Sequence, residues 1–306
     1  MKALVTGAGG FVGPHLVKEL ISNGYEVVAT HKSKISLKFP GAVQQYSLDI
    51  LDRKNVEEIC LKARPDAIFH LAGISDVKFS IANPDMTMKV NVDGTKNITE
   101  AAEQINATVL FVGSAEEYGI PKFVPISEEH PLIPVNPYAK SKVAAEKLAI
   151  ESAEKGNKIV IVRSFNHTGP GQSGNFVCSA FAKSIAEIEK GKEPIMLVGN
   201  LDSKRDFTDV RDIVKAYALA IRKCKYGVPY NICSGKPYQI RELLEKLLKL
   251  SNVEIEVKID QSRMRKSDIP ILLGDNGKFC AQTGWKTTIK IEKTLADILD
   301  YWRKLI

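Results

Sequence analysis

Short apolar runs alternate with longer amphipathic stretches along the first half of this 306-residue chain. Buried strands are predicted for the Val-, Ile- and Leu-rich runs at 2–6, 26–30, 66–72, 107–113 and 158–164. Helices are predicted between them at 12–23, 52–63, 84–106 and 138–155. Near-continuous apolar strands that alternate with helices are typical of a parallel sheet covered on both faces. The pattern therefore predicts an α/β fold built on a doubly wound parallel sheet.

The pattern changes after residue 165, where glycine and proline become dense and the elements become shorter. Further helices are predicted near 176–190, 212–224, 239–250 and 291–305. We expect a smaller α/β domain of about 166–202 and 234–306, packed on a first domain of 1–165 and about 203–233. A cleft between them would lie outside the carboxyl ends of the strands, where open parallel sheets bind ligands.

Composition and charge narrow the classes of ligand. The chain is 44% apolar and 26% charged, which are ordinary values for a globular protein. Its net charge of +7 is spread along the chain, with acidic residues between the basic ones. Nucleic-acid-binding proteins instead concentrate basic residues on one element. We therefore expect no nucleic-acid partner, and a polyanionic small ligand held by a few basic residues.

Cysteine usage and the lack of long apolar runs bear on the cellular compartment of the protein. The five cysteines are odd in number and form no CxxC or Cys/His cluster, which favours a reducing compartment without disulfides or a metal site. No apolar run has the length of a membrane span, and glycines interrupt the start MKALVTGAGGFVG where a signal peptide needs an apolar core. We predict a cytoplasmic protein with no membrane partner.

A glycine-rich turn, TGAGGFVG, follows the first predicted strand and precedes the first predicted helix. Gly7, Gly10 and Gly13 lie three residues apart, and the missing side chains let the backbone turn tightly and approach a pyrophosphate at the helix N-terminus. In this strand–loop–helix context the pattern predicts a Rossmann-type dinucleotide site rather than a plain tight turn. Phe11 and Val12 belong to the same loop.

The residues after the second strand bear on the choice of nicotinamide cofactor. Many NAD sites carry an acid there for the ribose hydroxyls, whereas this chain has His31, Lys32 and Lys34. Cations suit a 2′-phosphate, so we expect NADPH as the preferred cofactor, with NADH also used; the alternative is a solvated surface loop. Further cofactor contacts are expected near the adenine and near the phosphates from Asp49, Ile50, Leu71, Ala72 and Gly73.

A tyrosine and a lysine lie four residues apart in NPYAKSK, so Tyr138 and Lys142 share one face of a helix that Pro137 helps to start. A nearby ammonium favours the phenolate, and such a tyrosine can exchange a proton with a sugar oxygen. Ser114 ends a predicted strand, where its hydroxyl could bind the same oxygen. Taken alone, Tyr138 and Lys142 would be read as surface residues.

The glycine loop, the strand-end Ser114 and the YxxxK helix together resemble the extended short-chain dehydrogenase/reductase family. The resemblance implies that Tyr138 is the general acid/base and that Ser114 orients the substrate carbonyl. It also implies that Lys142 tunes Tyr138 and holds the nicotinamide ribose. Members of this family often dimerise through a four-helix bundle, so the helices at 84–106 and 138–155 are expected to form a homodimer interface.

The polar loop SFNHTGPGQSGNFV at 164–177 has its counterpart in the branch of this family that binds nucleotide sugars. By that resemblance Asn166 contacts the sugar and diphosphate, Arg205 and Arg265 bind phosphate, and Asp268 binds a ribose. The fork of arginine suits phosphate oxygens, although each residue alone could be a surface ion pair. Other substrate contacts implied by the resemblance are Asn175, Phe176, Val177, Lys183 and Val198.

Segments such as VGSAEEYG, FNHTGPGQSGNFV and YNICSGKPYQIRELL most resemble the reductases of GDP-4-keto-6-deoxy-D-mannose. The resemblance implies that hydride from NAD(P)H reaches the C4 ketone of the GDP-linked sugar, that Tyr138 protonates the alkoxide, and that the product is GDP-D-rhamnose. Guanine recognition rests on this resemblance alone.

Two other functions stay open. Glu116 matches the catalytic glutamate of related 4,6-dehydratases, so a GDP-mannose dehydratase or another nucleotide-sugar dehydratase or epimerase is the main alternative; Ser114 and Ala115 depart from that pattern. In a reductase Glu116 would bind the sugar. A non-catalytic dinucleotide sensor is disfavoured because Tyr138 and Lys142 are both retained. Cys178 is expected to pack rather than react.

Overall fold

A computed structural model describes residues 1–32, 37–264 and 269–306. Within them the strands are β1 (Lys2–Thr6), β2 (Glu26–His31), β3 (Gln44–Ser47), β4 (Ala67–His70), β5 (Thr108–Ser114), β6 (Ile159–Ser164), β7 (Asn166–Thr168), β8 (Ile195–Val198), β9 (Lys204–Asp209), β10 (Pro229–Ile232), β11 (Pro237–Gln239), β12 (Glu256–Ile259) and β13 (Ile271–Leu272). The helices are α1 (Val12–Ser22), α2 (Arg53–Ala63), α3 (Val77–Ala82), α4 (Pro84–Gln104), α5 (Pro137–Glu154), α6 (Val177–Glu189), α7 (Val210–Lys223), α8 (Ile240–Leu248), α9 (Gly277–Thr283) and α10 (Ile291–Leu305).

A parallel sheet with the order β10-β6-β5-β4-β1-β2-β3 forms the centre of the described structure. The predicted α/β fold with a doubly wound sheet is confirmed, and each of the five predicted strands is present. Two strands of this sheet were not predicted. β3 (QQYS) is an edge strand with no buried residue, so it carries no apolar run. β10 (PYNI), at the other edge, is largely buried but is only four residues long.

Helices cover both faces of this sheet, as apolar strands require. On one face α1, α7 and α9 enclose a core that includes Leu16, Tyr217 and Phe279. On the other face α2, α4 and α5 enclose a second core that includes Ile68 and Ile98. Tyr138 and Lys142 lie on α5, so packing of this helix on the sheet determines where they lie.

The remaining strands form smaller sheets after residue 165. β9 pairs with β7, β11 and β13, and β8 pairs with β12. Helices α6, α8 and α10 enclose a separate core here, with Ile185, Leu243 and Leu299 fully buried. β10, in contrast, belongs to the main sheet. The predicted domain boundaries remain a prediction.

The carboxyl ends of β1, β4, β5 and β6 meet at one edge of the main sheet. This edge carries the glycine loop after β1, residues 71–73 after β4, Ser114 at the end of β5 and the polar loop after β6. None of the described helices is long and apolar enough to cross a membrane.

Candidate active site

The glycine loop forms a close-fitting turn between β1 and α1. Gly7 has φ +67°, and a Cβ built on it would lie 2.8 Å from the Ala72 nitrogen. A Cβ at Gly13 would collide with the backbone of Ala8, and the Gly10 amide donates a hydrogen bond to the Gly7 carbonyl at 2.9 Å. Gly7 and Gly13 therefore have no room for a side chain, and the backbone at the N-terminus of α1 can approach an anion closely. This geometry fits the pyrophosphate of a dinucleotide.

The residues at the end of β2 make more side-chain contacts than a solvated surface loop would. His31 is only 7% exposed, and its Nε2 donates a hydrogen bond to Gln45 Oε1 at 3.3 Å. Lys32 forms a 2.8 Å ion pair with Asp49, whose pKa is lowered mainly by that hydrogen bond. Lys34 lies outside the described residues. His31 and Lys32 therefore lie at this end of the sheet, but Lys32 already has an acidic neighbour.

Hydrogen bonds anchor the β4 end against β1 and α4. Thr6 Oγ1 accepts from the Ala72 amide at 3.1 Å and bonds His70 Nδ1 at 2.9 Å. Burial lowers the pKa of His70 to about 3, so the ring is neutral at physiological pH. Ile50, a predicted adenine contact, is buried and packs over Gly94. Leu71 and Ala72 lie beside the glycine loop, because a Cβ built on Gly7 would come within 3.0 Å of both, whereas Gly73 lies against Asn91.

Asn91 is a positioning residue that the sequence did not reveal. It is buried on α4, accepts the Ile74 amide at 2.8 Å and donates to the Ile74 carbonyl at 3.0 Å. Its side chain also donates to Ser141 Oγ on α5 at 2.8 Å. Asn91 therefore fixes α5 relative to the loop after β4. The available sequence signal was a polar residue, Asn91, at a position of α4 that faces the core.

Ser114, Tyr138 and Lys142 come together at the end of β5. Burial raises the pKa of Tyr138 above its usual range, and a hydrogen bond with the Ser114 side chain acts in the opposite direction. Lys142 Nζ donates to the Val112 carbonyl at 2.8 Å, and burial lowers the pKa of its ammonium. Only packing of α5 on β5 brings the helical pair next to the strand-end serine. The arrangement can hold a carbonyl oxygen and exchange one proton with it.

Glu116 follows Ser114 in a single 3-10 turn at Ala115–Tyr118. Its Oε2 accepts a hydrogen bond from Asn136 Nδ2 at 3.1 Å, and Asn136 in turn caps α5 by accepting from the Ala139 amide. Glu116 also lines the cavity described below. The carboxylate therefore faces the cavity and is linked through Asn136 to the start of α5, the helix that carries Tyr138.

A cavity of about 420 Å³ extends from Glu116 toward the second group of sheets. Its size lies in the range of ligand pockets of small molecules and cofactors. Six of the predicted substrate contacts line it together with Glu116: Asn166, Asn175, Phe176, Val177, Val198 and Arg205. The structure thus brings most of the predicted set to one surface.

Cations at this cavity differ in part from the prediction. Arg205 is 9% exposed and its guanidinium donates to the Ile269 carbonyl at 2.6 Å. Arg263, which was not predicted, lines the cavity and is held by the Leu197 carbonyl at 2.8 Å. Arg265 and Asp268 fall outside the described residues. Arg263 belongs to the same segment, RMRKSD at 263–268, as the predicted Arg265 and Asp268.

Lys183 does not line the cavity in the part of the chain that is described. Its Nζ lies 3.6 Å from Glu187 and 5.4 Å from the centroid of the Trp302 ring. The helical spacing of Lys183 and Glu187 on α6 turns the ammonium along the helix surface. Cys178 is buried, which raises the pKa of its thiol to about 12 and agrees with a packing role.

The polar loop after β6 is held by its own hydrogen bonds. Gln172 is buried, donates to the His167 carbonyl at 3.0 Å and accepts from Thr168 Oγ1 at 2.6 Å. Asn175 Nδ2 donates to Asp76 at 3.3 Å across the cleft, and Asp76 caps α3. Lys78 of α3, which was not predicted, also lines the cavity. Backbone and side chains thus present Asn166 and its neighbours in one defined arrangement.

Three comparisons place this geometry among known proteins. The family model described as GDP-mannose 4,6 dehydratase matches residues 4–298. GDP-6-deoxy-D-mannose reductase of Pseudomonas aeruginosa is 35% identical, with 100% of this chain and 98% of that protein covered. The structure of RMD from Pseudomonas aeruginosa with NADPH matches at TM-score 0.89 and 33% identity, covering 100% of both chains. UDP-glucose 4-epimerase of Thermotoga maritima, solved with UDP-glucose, matches at TM-score 0.90 and 27% identity, covering 100% and 99%.

Proposed function

Because this chain belongs to the GDP-mannose 4,6-dehydratase family, we propose that it reduces the C4 ketone of GDP-4-keto-6-deoxy-D-mannose with NAD(P)H, forming GDP-D-rhamnose. The observation that carries the proposal is the meeting of Ser114, Tyr138 and Lys142 at the end of β5, two residues before Glu116, which lines the cavity. The similarity to a GDP-6-deoxy-D-mannose reductase over the whole chain supports the choice of substrate.

Ser114, Tyr138 and Lys142 have different roles in the proposed ketone reduction. A bound NAD(P)H supplies the hydride for C4. The hydroxyls of Ser114 and Tyr138 bind the ketone oxygen, where negative charge develops during the reaction. Tyr138 then gives its proton to that oxygen, and the cationic Lys142 stabilises the resulting phenolate until solvent restores the proton.

The cavity is proposed to bind the nucleotide sugar. Among the residues that line it, Asn166 and Glu116 are proposed to hydrogen-bond the sugar, and Arg205 and Arg263 to bind the diphosphate. Arg265 and Asp268 are proposed to add a phosphate contact and a ribose contact, by the family resemblance. For the cofactor we propose a preference for NADPH, because His31 and Lys32 stand where an acid would favour NADH.

The experiment uses purified protein with NADPH or NADH and enzymatically made GDP-4-keto-6-deoxy-D-mannose, and follows loss of the reduced cofactor. Oxidation is expected with the keto sugar and not with GDP-mannose. Tyr138→Phe, which keeps the ring and removes the proton, should abolish most of this oxidation. The proposal fails if the wild-type protein oxidises neither cofactor in the presence of the keto sugar.

A dehydratase is the second candidate, because Glu116 lines the cavity where a 4,6-dehydratase needs its glutamate. Appearance of a keto sugar from GDP-mannose without added cofactor would establish this function. In the reductase, Glu116→Gln should weaken substrate binding because the carboxylate contacts the sugar. Unchanged turnover and substrate affinity in Glu116→Gln would show that Glu116 does not bind the sugar.

The protein is further proposed to be a cytoplasmic homodimer that pairs α4 and α5 of each subunit. Exposed apolar side chains on α3 and at the start of α4 support an interface: Phe79, Ile81, Met86 and Met88. Light scattering at micromolar concentration should give twice the mass of 33.8 kDa. A monomer under these conditions contradicts the dimer.

A further inference from the structure

Glu117 is a fully buried carboxyl group directly behind the reacting residues. Its side chain is 0% exposed, and Oε1 accepts a hydrogen bond from the Ser114 amide at 2.5 Å. Its other oxygen, Oε2, meets no N–H or O–H donor among the described residues. A buried carboxylate with one oxygen lacking a donor is unfavourable, because its lost hydration is not replaced.

Another acid, Glu146 of α5, lies beside Glu117. A Cβ built on Gly113 would lie 2.6 Å from Glu117 Oε1 and 3.3 Å from Glu146 Oε2, so both carboxyl groups converge above this glycine. The position thus has to be glycine. Two carboxyl groups this close share a proton more readily than they both ionise.

The charge of Glu146 is already balanced. Arg163 donates to both of its oxygens, with Nη2 at 2.6 Å from Oε1 and Nε at 3.0 Å from Oε2. Arg163 also donates to Tyr118 Oη at 2.9 Å and to the Glu128 carbonyl. Arg163 therefore balances one carboxylate of the pair. A second carboxylate at Glu117 would have Lys142 as its remaining cation, without an ion pair within 4.0 Å among the described residues.

The other ionisable groups that interact with Glu117 are Arg163 and two of the reacting residues. Lys142 and Tyr138 on α5 both sense its charge, as does Arg163 on β6. Lys142 makes its hydrogen bond to the Val112 carbonyl and no carboxylate lies within 4.0 Å of it in the described chain. An anion at Glu117 would raise the pKa of Tyr138 and oppose formation of its phenolate.

We propose that Glu117 is a positioning residue held as a neutral carboxylic acid, whose carbonyl oxygen anchors the Ser114 amide and whose O–H donates to Glu146. This assignment gives Oε2 a partner and leaves the Glu117–Glu146 pair with a single negative charge, which Arg163 balances. It also pins the backbone of Ser114 at the end of β5 without placing an anion beside Tyr138. Burial and the neighbouring Glu146 both raise the pKa of Glu117, in agreement with this state.

Glu117→Gln tests the proposal because the amide copies the neutral acid in shape and in hydrogen bonds. Its oxygen accepts from Ser114 and its NH₂ donates to Glu146. We expect wild-type kcat, KM and pH–rate profile. Glu117→Leu keeps the volume but loses both hydrogen bonds, and kcat should fall by about tenfold or more, as expected for a displaced Ser114.

An ionised Glu117 predicts a different result. Removing its charge in Glu117→Gln would shift the alkaline limb of the pH–rate profile, because Tyr138 and Lys142 would lose a neighbouring anion. Such a shift, or a Glu117→Gln protein that does not fold, overturns the proposal. An unchanged profile in Glu117→Gln together with a low kcat in Glu117→Leu supports it.

A spectroscopic readout separates this inference from the proposed function, on which its catalytic part rests. A protonated buried carboxyl gives a carbonyl stretching band in the infrared spectrum at neutral pH. The difference between wild type and Glu117→Gln should contain that band whether or not the keto sugar is the substrate. Its absence shows an ionised Glu117 and overturns the assignment.

Discussion

The ring of Phe11 stacks on the ring of His167, with centroids 6.0 Å apart and planes within 9° of parallel. Phe11 belongs to the glycine loop, and His167 belongs to the polar loop that lines the cavity. His15 of α1 strengthens the contact, because its Nε2 donates to the Pro170 carbonyl at 2.8 Å. The two proposed binding sites are therefore in direct physical contact.

This contact predicts that cofactor binding improves nucleotide binding. Ordering the glycine loop should also order the loop at His167, so saturating NADPH is expected to lower the Kd for GDP. His167→Leu should reduce that effect by about 0.5–1.5 kcal/mol, the usual contribution of an aromatic pair. Isothermal titration calorimetry of GDP binding, with and without NADPH, measures this change in the Kd for GDP in wild type and in His167→Leu.

Phe11→Leu and the double variant complete the mutant cycle for this pair. The two single substitutions should be non-additive, because they remove the same contact. Additive effects, or an unchanged response to NADPH in His167→Leu, would show that the stack does not connect the sites.

Tyr138 is predicted to affect chemistry far more than binding. Tyr138→Phe should lower kcat by about 10²–10⁴-fold, the usual contribution of general acid catalysis. The affinities for NADPH and GDP should stay near wild type, because the ring still fills its buried position. Stopped-flow loss of NADPH and fluorescence titration measure the two effects. A similar loss from Tyr301→Phe, a substitution on α10, would point to a general defect instead.

Lys32 provides a test of the cofactor preference. Its ion pair with Asp49 is exposed, with 79% and 39% of the two side chains accessible, so Lys32→Ala should hardly change stability. If Lys32 binds a 2′-phosphate, its removal should cost about 1.5–3 kcal/mol of NADPH binding and leave NADH unaffected. Lys54→Ala, at an exposed lysine on α2, is the matched control. Equal effects on both cofactors would contradict the assignment.

Asp212 is predicted to make stability depend on acid pH. Burial acts to raise the pKa of Asp212, but hydrogen bonds from Thr288 and the Ile289 amide outweigh it and hold the pKa below its usual value of 3.8. A lowered pKa stabilises the fold above the pKa of the unfolded chain, and this contribution is lost as pH falls through the folded value.

Asp212→Asn should therefore lower the free energy of unfolding at neutral pH by about 1–3 kcal/mol and flatten its fall with acid. Urea titrations at several pH values measure both effects. Asp202→Asn is the control, since its side chain is 75% exposed and pairs with Arg241 at the surface. A stability loss of the same size in both variants would mean that burial of Asp212 is not the cause.

Features that depend on neighbouring residues in the chain were predictable from the sequence. The apolar runs predicted the central strands, because a strand covered on both faces has to be apolar along its length. The glycine spacing predicted the turn that admits a pyrophosphate, and the YxxxK spacing put Tyr138 and Lys142 on one helical face. The family resemblance then supplied a role for Ser114 and the polar loop.

Contacts between distant parts of the chain were decided only by the tertiary structure. Packing of α5 against β5 and the turn after it buries Glu117 beside Glu146, and α4 brings Asn91 to Ser141. Pairing of β2 with β3 brings Lys32 next to Asp49. A sequence pattern records which side chains are polar, but their charge state and partners depend on what the fold places within a few ångströms. In sequence, the EEY triplet at 116–118 looks like part of the surface. In the fold, Glu117 is a buried acid behind Ser114.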